Sequence, residues 1–420
     1  LRVPPKKKAE PKKLTLAETL TQLRTGKDKE PIGVLEEFKP VEGLTTGNLL
    51  LDAVTGVGGL PKGRITELIG PPSSGKTTCA LQTAAKLQQA GGYVMFVDYE
   101  YALDKDYAQA LGIDTKDPSF IYLWPKNFEH GANLFRKLLD TGELGMGIFD
   151  SVASMVTKRE IESDTGTAEV MERAKLMHQF CRQIVGKLQQ TDCAAVFLNH
   201  VMDKADLTPM GQRMAAQGIK QKTSPGGKAL PFYGSLRMEF QQIGNVKEKG
   251  ENELTEQEEN LTTSVRTKVT VLKNKVGDPF RTAELRVRFG KGFSQPHAVL
   301  SYLVAQGIVK ASAGVYKYPN ELAPPFDVPK GESKQLEALE YRTDWLKTLE
   351  AKAVEVLAQK GMEKVDGSKY DKFGVEIAGD VTELSVAESQ ELDDEEQDVS
   401  DFLDVPEGGN KVNMKTGELM

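Results

Sequence analysis

With 420 residues, 39% of them hydrophobic, and a net charge of −7, the chain is long enough for one large core with smaller appendages. No apolar run reaches the roughly 20 residues that cross a bilayer, and the charged, proline-rich start does not read as a signal peptide. Three cysteines, Cys79, Cys181 and Cys193, without C-x-x-C spacing, argue against a disulfide framework or zinc site and suit a soluble protein of the reducing cytoplasm.

The charge is polarised between the ends. Residues 1–13 carry Arg2, Lys6, Lys7, Lys8, Lys12 and Lys13 against Glu10, whereas no basic residue occurs between Lys372 and Lys411. That interval holds Glu391, Asp393, Asp394, Glu395, Glu396, Asp398, Asp401 and Asp404. A basic segment (1–13) and an acidic tail (381–420) with little apolar surface are expected to be disordered, and serve either solubility or regulation.

In chain order, residues 14–42 read as a leading segment, helical over 15–25 on the spacing of Leu20 and Leu23 and strand-like over 32–38. Residues 43–312 alternate apolar runs with amphipathic stretches. This is the pattern of an α/β core, a mostly parallel twisted sheet flanked by helices. Strands are expected at 65–69, 93–97, 146–150, 194–199, 236–240, 267–272 and 284–289, and helices at 77–89, 105–111, 130–141 and 168–190. The proline-rich stretch 318–329 breaks the pattern, and a helix over 334–359 belongs to a small C-terminal α/β unit spanning 313–380.

Gly70, Pro71, Pro72, Ser73, Ser74, Gly75, Lys76 and Thr77 fit G-x-x-x-x-G-K-[ST] directly after a strand and before a helix that continues through Thr78. Glycines let backbone N–H groups turn onto phosphates, the helix start adds its positive end, Lys76 adds charge and Thr77 a magnesium-ligating hydroxyl. ATP with Mg²⁺ is the expected ligand. Glu100 follows the strand 93–97 and is either a general base for water or a helix cap. Asp150 ends an apolar strand in the form that holds magnesium beside Thr77. His200, after the strand 194–199, either senses the γ-phosphate or is a hydrogen-bonded structural histidine.

These residues, with Gly58-Gly59-Leu60-Pro61-Lys62-Gly63-Arg64, Asp98-Tyr99-Glu100-Tyr101-Ala102-Leu103-Asp104, Asp150-Ser151-Val152-Ala153, Gly226 to Tyr233, Lys273-Asn274-Lys275 and Pro279-Phe280, closely resemble RecA-family recombinases over residues 43–318 in unbroken order. His200 stands where bacterial members have Gln and UvsX-type phage recombinases have His, which with the acidic tail favours a phage-encoded member. The resemblance implies that Lys273 and Lys275 reach into a neighbouring protomer's ATP site in a helical filament, acting on phosphate charge as arginine fingers do. It implies adenine contacts for Asp104, Tyr107 and Phe289, and makes residues 14–42 an oligomerisation segment.

Two segments read as DNA-binding loops. Residues 156–169 contain Lys158 and Arg159; residues 202–225 contain Lys204, Arg213, Lys220 and Lys222 and run into Gly226 and Gly227. The resemblance adds phosphate contacts for Lys175 and Arg182 and a second DNA path at Arg266 and Lys268. The expectation is an ATP-dependent recombinase that forms filaments on single-stranded DNA, pairs it with homologous duplex and exchanges strands. A single-strand binding protein and a loader are possible partners, and deletion of 381–420 is expected to tighten duplex binding. The alternatives are a hexameric DNA motor, or an ATP-regulated DNA-binding mediator; intact Lys76, Thr77, Glu100 and Asp150 speak against the second.

Overall fold

The computed structural model of the protein describes residues 15–25, 39–162, 169–203, 222–223, 225–252, 257–312, 315–324, 326, 329 and 331–360. The expected basic segment, the strand-like run at 32–38 and the acidic tail lie outside the described residues. The chain divides into two compact units, Leu1–Val41 and Glu42–Met420.

In the first unit, helix α1 (Leu16–Thr25) opens on a reciprocal cap. The Thr15 N–H donates to the Glu18 carboxylate at 2.7 Å, and the Glu18 N–H donates to Thr15 Oγ1 at 3.3 Å. Two orphan donors of the first turn are thereby satisfied.

The second unit begins with β1 (Gly43–Leu44), α2 (Leu49–Thr55), β2 (Leu60–Pro61) and β3 (Ile65–Ile69). Helix α3 (Lys76–Gln89) leads to β4 (Tyr93–Asp98), α4 (Lys105–Ala110), β5 (Phe120–Leu123), α5 (Phe128–Leu139) and β6 (Leu144–Asp150). Next come α6 (Lys158–Glu162), α7 (Glu169–Thr191), β7 (Ala194–Asn199), β8 (Met202–Asp203), β9 (Lys222–Thr223) and α8 (Ala229–Tyr233). A long hairpin, β10 (Leu236–Asn252) and β11 (Gln257–Asn274), is followed by β12 (Thr282–Arg288), β13 (Gly292–Phe293) and α9 (Gln295–Ala305). The chain continues through β14 (Lys310–Ser312), β15 (Val315–Lys317), α10 (Glu332–Tyr341) and α11 (Thr343–Lys360).

Nine strands form one sheet in the order β13-β12-β11-β10-β3-β7-β6-β4-β5. The stretch from β10 through β3, β7, β6 and β4 to β5 is parallel, and β10 to β13 are joined antiparallel. Strand alternation sorts the core into two layers. Met146, Ile148, Val196 and Leu198 pack with Leu51, Leu81 and Phe96 on one face; Phe149 and Phe197 pack with Phe135, Phe180 and Ile184 on the other. The central strands are buried on both faces, which is why they read as continuous apolar runs. Phe149 and Phe197 stack with ring centroids 4.6 Å apart, and Phe135 and Phe180 meet Phe149 edge-on. Each such ring contributes about 1.5–3 kcal/mol by leaving water.

Leu336, Leu339, Trp345, Leu349 and Ala353, from α10 and α11, belong to the same apolar layer as α9, and Trp345 Nε1 donates to the Leu322 carbonyl at 3.1 Å. The helix expected over 334–359 is two helices, because the chain leaves helical geometry at Arg342 (φ −104°, ψ 66°).

Candidate nucleotide site and DNA-facing loops

The parallel register brings the carboxyl ends of four neighbouring strands into line. Asp98 pairs in register with Asp150, Phe149 with Phe197, and Ile69 with Asn199. Residues following β3, β7, β6 and β4 therefore share the sheet edge at which ligands bind in open α/β folds.

The loop after β3 is shaped for an anion. Gly75, the residue before α3, takes φ 98° and supplies no side-chain cap, so the first N–H groups of a 14-residue helix are left for an outside acceptor. A Cβ on Gly70 would lie 2.3 Å from the Phe240 carbonyl and 2.9 Å from Ser74 Oγ, so only glycine fits there. Ser74 Oγ is buried without a hydrogen-bond partner. Lys76 Nζ donates to the carbonyls of Gly70 and Pro71 at 2.8 and 2.7 Å, curled onto the loop whose phosphates it would otherwise meet. Burial pushes the Lys76 ammonium down to about 8, with the charges of Asp150 and Glu100 opposing the shift.

Thr77 Oγ1 donates to Asp150 Oδ2 at 3.0 Å. Burial, then the facing Glu100 charge, pushes the Asp150 carboxyl up to about 7. An anion destabilised in this way favours a nearby cation, so the orphaned Ser74 hydroxyl, the glycine cradle and the Thr77–Asp150 pair fit a magnesium–triphosphate group. Among the described residues no cluster of three or more His, Cys, Asp or Glu forms a metal site. A hard cation here would accordingly take most of its ligands from water and phosphate.

Glu100 faces the same space. Its Oε1 accepts from Ser151 Oγ at short range, from Ser154 Oγ at 3.4 Å, and lies 3.2 Å from His200 Nε2. Burial raises the Glu100 carboxyl, but the bonds from Ser151 and then His200 outweigh it and hold it below the usual carboxylate range. Glu100 is therefore ionised at neutral pH, as a base must be. The alternative of a helix-capping Glu100 gives way to Asp104, whose Oδ1 accepts from Asp106 and Tyr107 N–H at the start of α4. Tyr107 reaches Thr78, with 2.7 Å between their hydroxyl oxygens. Phe289, 56% exposed, follows β12 in the turn to β13, and β13 packs beside α3.

Several placements were not legible in the sequence. Asp98 is buried and accepts the N–H groups of Glu100, Tyr101, Ala102 and Leu103. Asn199 Nδ2 donates to Glu67 Oε1 at 2.8 Å and to the Pro225 carbonyl at 2.9 Å, while its Oδ1 accepts the His200 N–H at 2.9 Å. Glu67 is in turn paired with Arg237 Nε at 2.7 Å. Asp98 stood in the quoted family motif, and the sequence signal for Glu67 and Asn199 was a polar residue in a mainly apolar strand.

Lys273 Nζ donates to the carbonyls of Pro231 and Phe232 at 2.5 and 3.2 Å, and Lys275 Nζ to Phe232 at 3.5 Å. Both ammoniums thus rest on the carboxyl end of α8. Strands β8 and β9 pair Met202 with Thr223 and Asp203 with Lys222, joining the two ends of the second expected loop. Lys204, Arg213 and Lys220 lie outside the described residues, as does the side chain of Lys222. Gly226 and Gly227 take φ 92° and 66°, and a Cβ on either would lie 2.8 Å from Val152 or Ala174, so this turn favours glycine at both positions. In α6, Lys158 faces Glu162 at 3.7 Å, and Arg159 pairs with Glu172 at 3.2 Å. Lys175 and Arg182 are exposed on one face of α7, two turns apart. Arg266 pairs with Glu284 at 2.7 Å, and Lys268 lies opposite Glu284 in the ladder.

Comparison with known proteins agrees with this geometry. The sequence model of the RecA N-terminal domain matches residues 14–294. A relative called Protein RecA from Pseudarthrobacter chlorophenolicus is 37% identical over 282 residues, 67% of this chain and 74% of its own. Protein RecA from Salinispora arenicola is 36% identical over 312 residues, 74% of this chain and 82% of its own. A solved structure titled "Crystal structure of the RadB recombinase" covers 60% of this chain and 98% of its own at a TM-score of 0.42 and 19% identity. With the family motifs in order and the phosphate loop, Glu100 and Asp150 assembled at one sheet edge, the chain belongs to the RecA family.

Proposed function

We propose that the chain assembles into a filament on single-stranded DNA, with ATP in the cradle between Gly70 and Thr78, and exchanges strands with a homologous duplex. Family membership makes it a recombinase of homologous recombination and repair and a DNA-dependent ATPase. The filament works in the cytoplasm, a single-strand binding protein and a loader assist its assembly on Mg²⁺–ATP, and the acidic tail over 381–420 restrains duplex binding. Among the described residues no helix is long and apolar enough to cross a membrane.

The observation that carries the reading is the convergence of Ser151, Ser154 and His200 on Glu100 beside the Thr77–Asp150 pair. Thr77 and Asp150 would hold Mg²⁺, which when bound supplies charge neutralisation at the phosphate oxygens. Glu100 takes a proton from the attacking water. The water oxygen bonds to the γ-phosphorus, the bond to the β–γ bridging oxygen breaks, and ADP leaves. Backbone N–H groups at the start of α3 and Lys76 stabilise the charge that develops. His200 shares Glu100 with Ser151 and is joined through Asn199 to Pro225. Changes at the γ-phosphate therefore bear on the end of the second loop.

Replacing Glu100 by Gln tests this. Single-strand-dependent hydrolysis should fall by roughly 10²-fold or more while ATP binding and filament assembly persist. Wild-type turnover in that variant would refute Glu100 as the base.

A further inference from the structure

We propose that Asp98, clamped by Tyr122 and Trp124, is the positioning residue that aims Glu100 at its water; this deepens the reading above and rests on it. Asp98 is the last residue of β4 and is buried. Its Oδ1 accepts the N–H of Glu100 at 3.0 Å and of Tyr101 at 2.8 Å, and its Oδ2 accepts those of Ala102 and Leu103 at 3.0 and 3.1 Å. A fifth donor, the Tyr122 hydroxyl, reaches Oδ2 at 2.7 Å. An ionised carboxylate offers about four lone-pair sites. Five donors leave Asp98 no capacity for water or a metal, so its function is to hold the backbone.

The hold continues outward. Tyr122 sits on edge strand β5, opposite Phe96 of β4, which directs its hydroxyl at the end of β4. That hydroxyl accepts the Trp124 indole N–H at 2.6 Å while donating to Asp98, and the two rings meet edge-on at 5.7 Å. On the far side, the Tyr101 hydroxyl donates to the Pro125 carbonyl at 2.7 Å. The caged loop keeps Tyr101 at φ 56°, a left-handed conformation that a tyrosine adopts only when its surroundings impose it. Glu100 belongs to this loop, and its carboxylate meets Ser151 and His200. A slackened cage rotates the Glu100 backbone and swings the base off its line, and a displacement of about 1 Å costs up to 10²-fold in rate.

Tyr122→Phe keeps the ring and removes the hydroxyl that donates to Asp98 and accepts from Trp124. In the full-length protein, the expected results are an approximately tenfold lower kcat for single-strand-dependent ATP hydrolysis, a KM for ATP within about twofold, and a melting midpoint lowered by only about 1–3 °C. Amide hydrogen exchange without nucleotide should quicken at residues 100–103. Combined with Glu100→Gln, Tyr122→Phe should add no further loss, because it acts through Glu100. Asp98→Asn, which turns an NH₂ toward backbone donors, should lose at least as much kcat where it folds; the Tyr122 result stands if it does not.

The inference is overturned by a wild-type kcat in Tyr122→Phe, by a loss of equal size in the Glu100→Gln background, or by a loss matched in KM and melting. If Glu100→Gln is inactive and Tyr122→Phe is normal, only the positioning role fails. If Glu100→Gln turns over like the wild type, the base assignment falls and takes this inference with it.

Discussion

Replacing Arg237 by Met leaves the Glu67 carboxylate in the sheet interior without its cation. The pair is joined at 2.7 Å with side chains 7% and 0% exposed, so neither charge can be recovered by water. Breaking a buried pair from one side costs about 3–5 kcal/mol, and at a urea slope of about 3 kcal/mol/M the unfolding midpoint should drop by roughly 1–2 M. Replacing both partners with apolar residues, Glu67→Leu with Arg237→Met, removes the stranded charge and should recover most of that loss. Function should not return with it. Glu67 also receives Asn199 Nδ2, and Asn199 holds both Pro225 and the His200 N–H. The double variant should therefore melt near the wild type while its single-strand-dependent ATPase stays depressed. Urea titrations of the three proteins beside ATPase assays test this. A single variant as stable as the wild type, or a double variant with full activity, would refute the reasoning.

His297 gives the fold a specific acid sensitivity. Burial, then the positive charge of Arg286, holds its imidazole down to about 4 from 6.5, and its Nδ1 is buried without a partner. With the folded value depressed, the stability is fully present above the unfolded value and is lost as pH falls toward the folded one. At about pH 5 this amounts to about 2 kcal/mol, taking about 1.36 kcal/mol per pH unit. His297→Asn should flatten the pH dependence of the urea midpoint between about pH 7 and 5, and parallel curves for the two proteins would contradict the assignment. If Lys273 and Lys275 act in a neighbour's site, as proposed, a Lys273→Ala/Lys275→Ala protein and a Lys76→Ala protein, each inactive, should complement on mixing. Random pairing in a 1:1 filament completes about a quarter of the sites, and a mixture as inactive as its parts would argue against action across the interface.

The parts of the fold that were legible are those in which one strand or helix carries its own signal. The strand before the phosphate loop is Ile65–Ile69 as expected, and β7 is Ala194–Asn199 as expected, because both are mainly apolar runs with every residue buried. The strand expected over 236–240 instead runs to Asn252, paired with Gln257–Asn274. Its outer part lacks the apolar alternation that marks a packed face. Helix α2, whose buried residues include Leu49, Leu50, Leu51, Ala53 and Val54, and α9, with six buried among eleven, were missed because they have no polar face to set a period. Edge strand β5, Phe120–Leu123, is a run of only four apolar residues, partly buried and without alternation, and was missed.

At the candidate site, Lys76, Thr77, Glu100, Asp150 and His200 were singled out from local motifs. Tyr122, Trp124, Glu67 and Arg237 were not, since their roles depend on which strands lie side by side.

The central claim is best tested by measuring ATP hydrolysis without DNA, with single-stranded DNA and with duplex, while imaging the same mixtures by electron microscopy. The account predicts strong stimulation by single strands together with helical filaments. DNA-independent turnover by closed rings would contradict it.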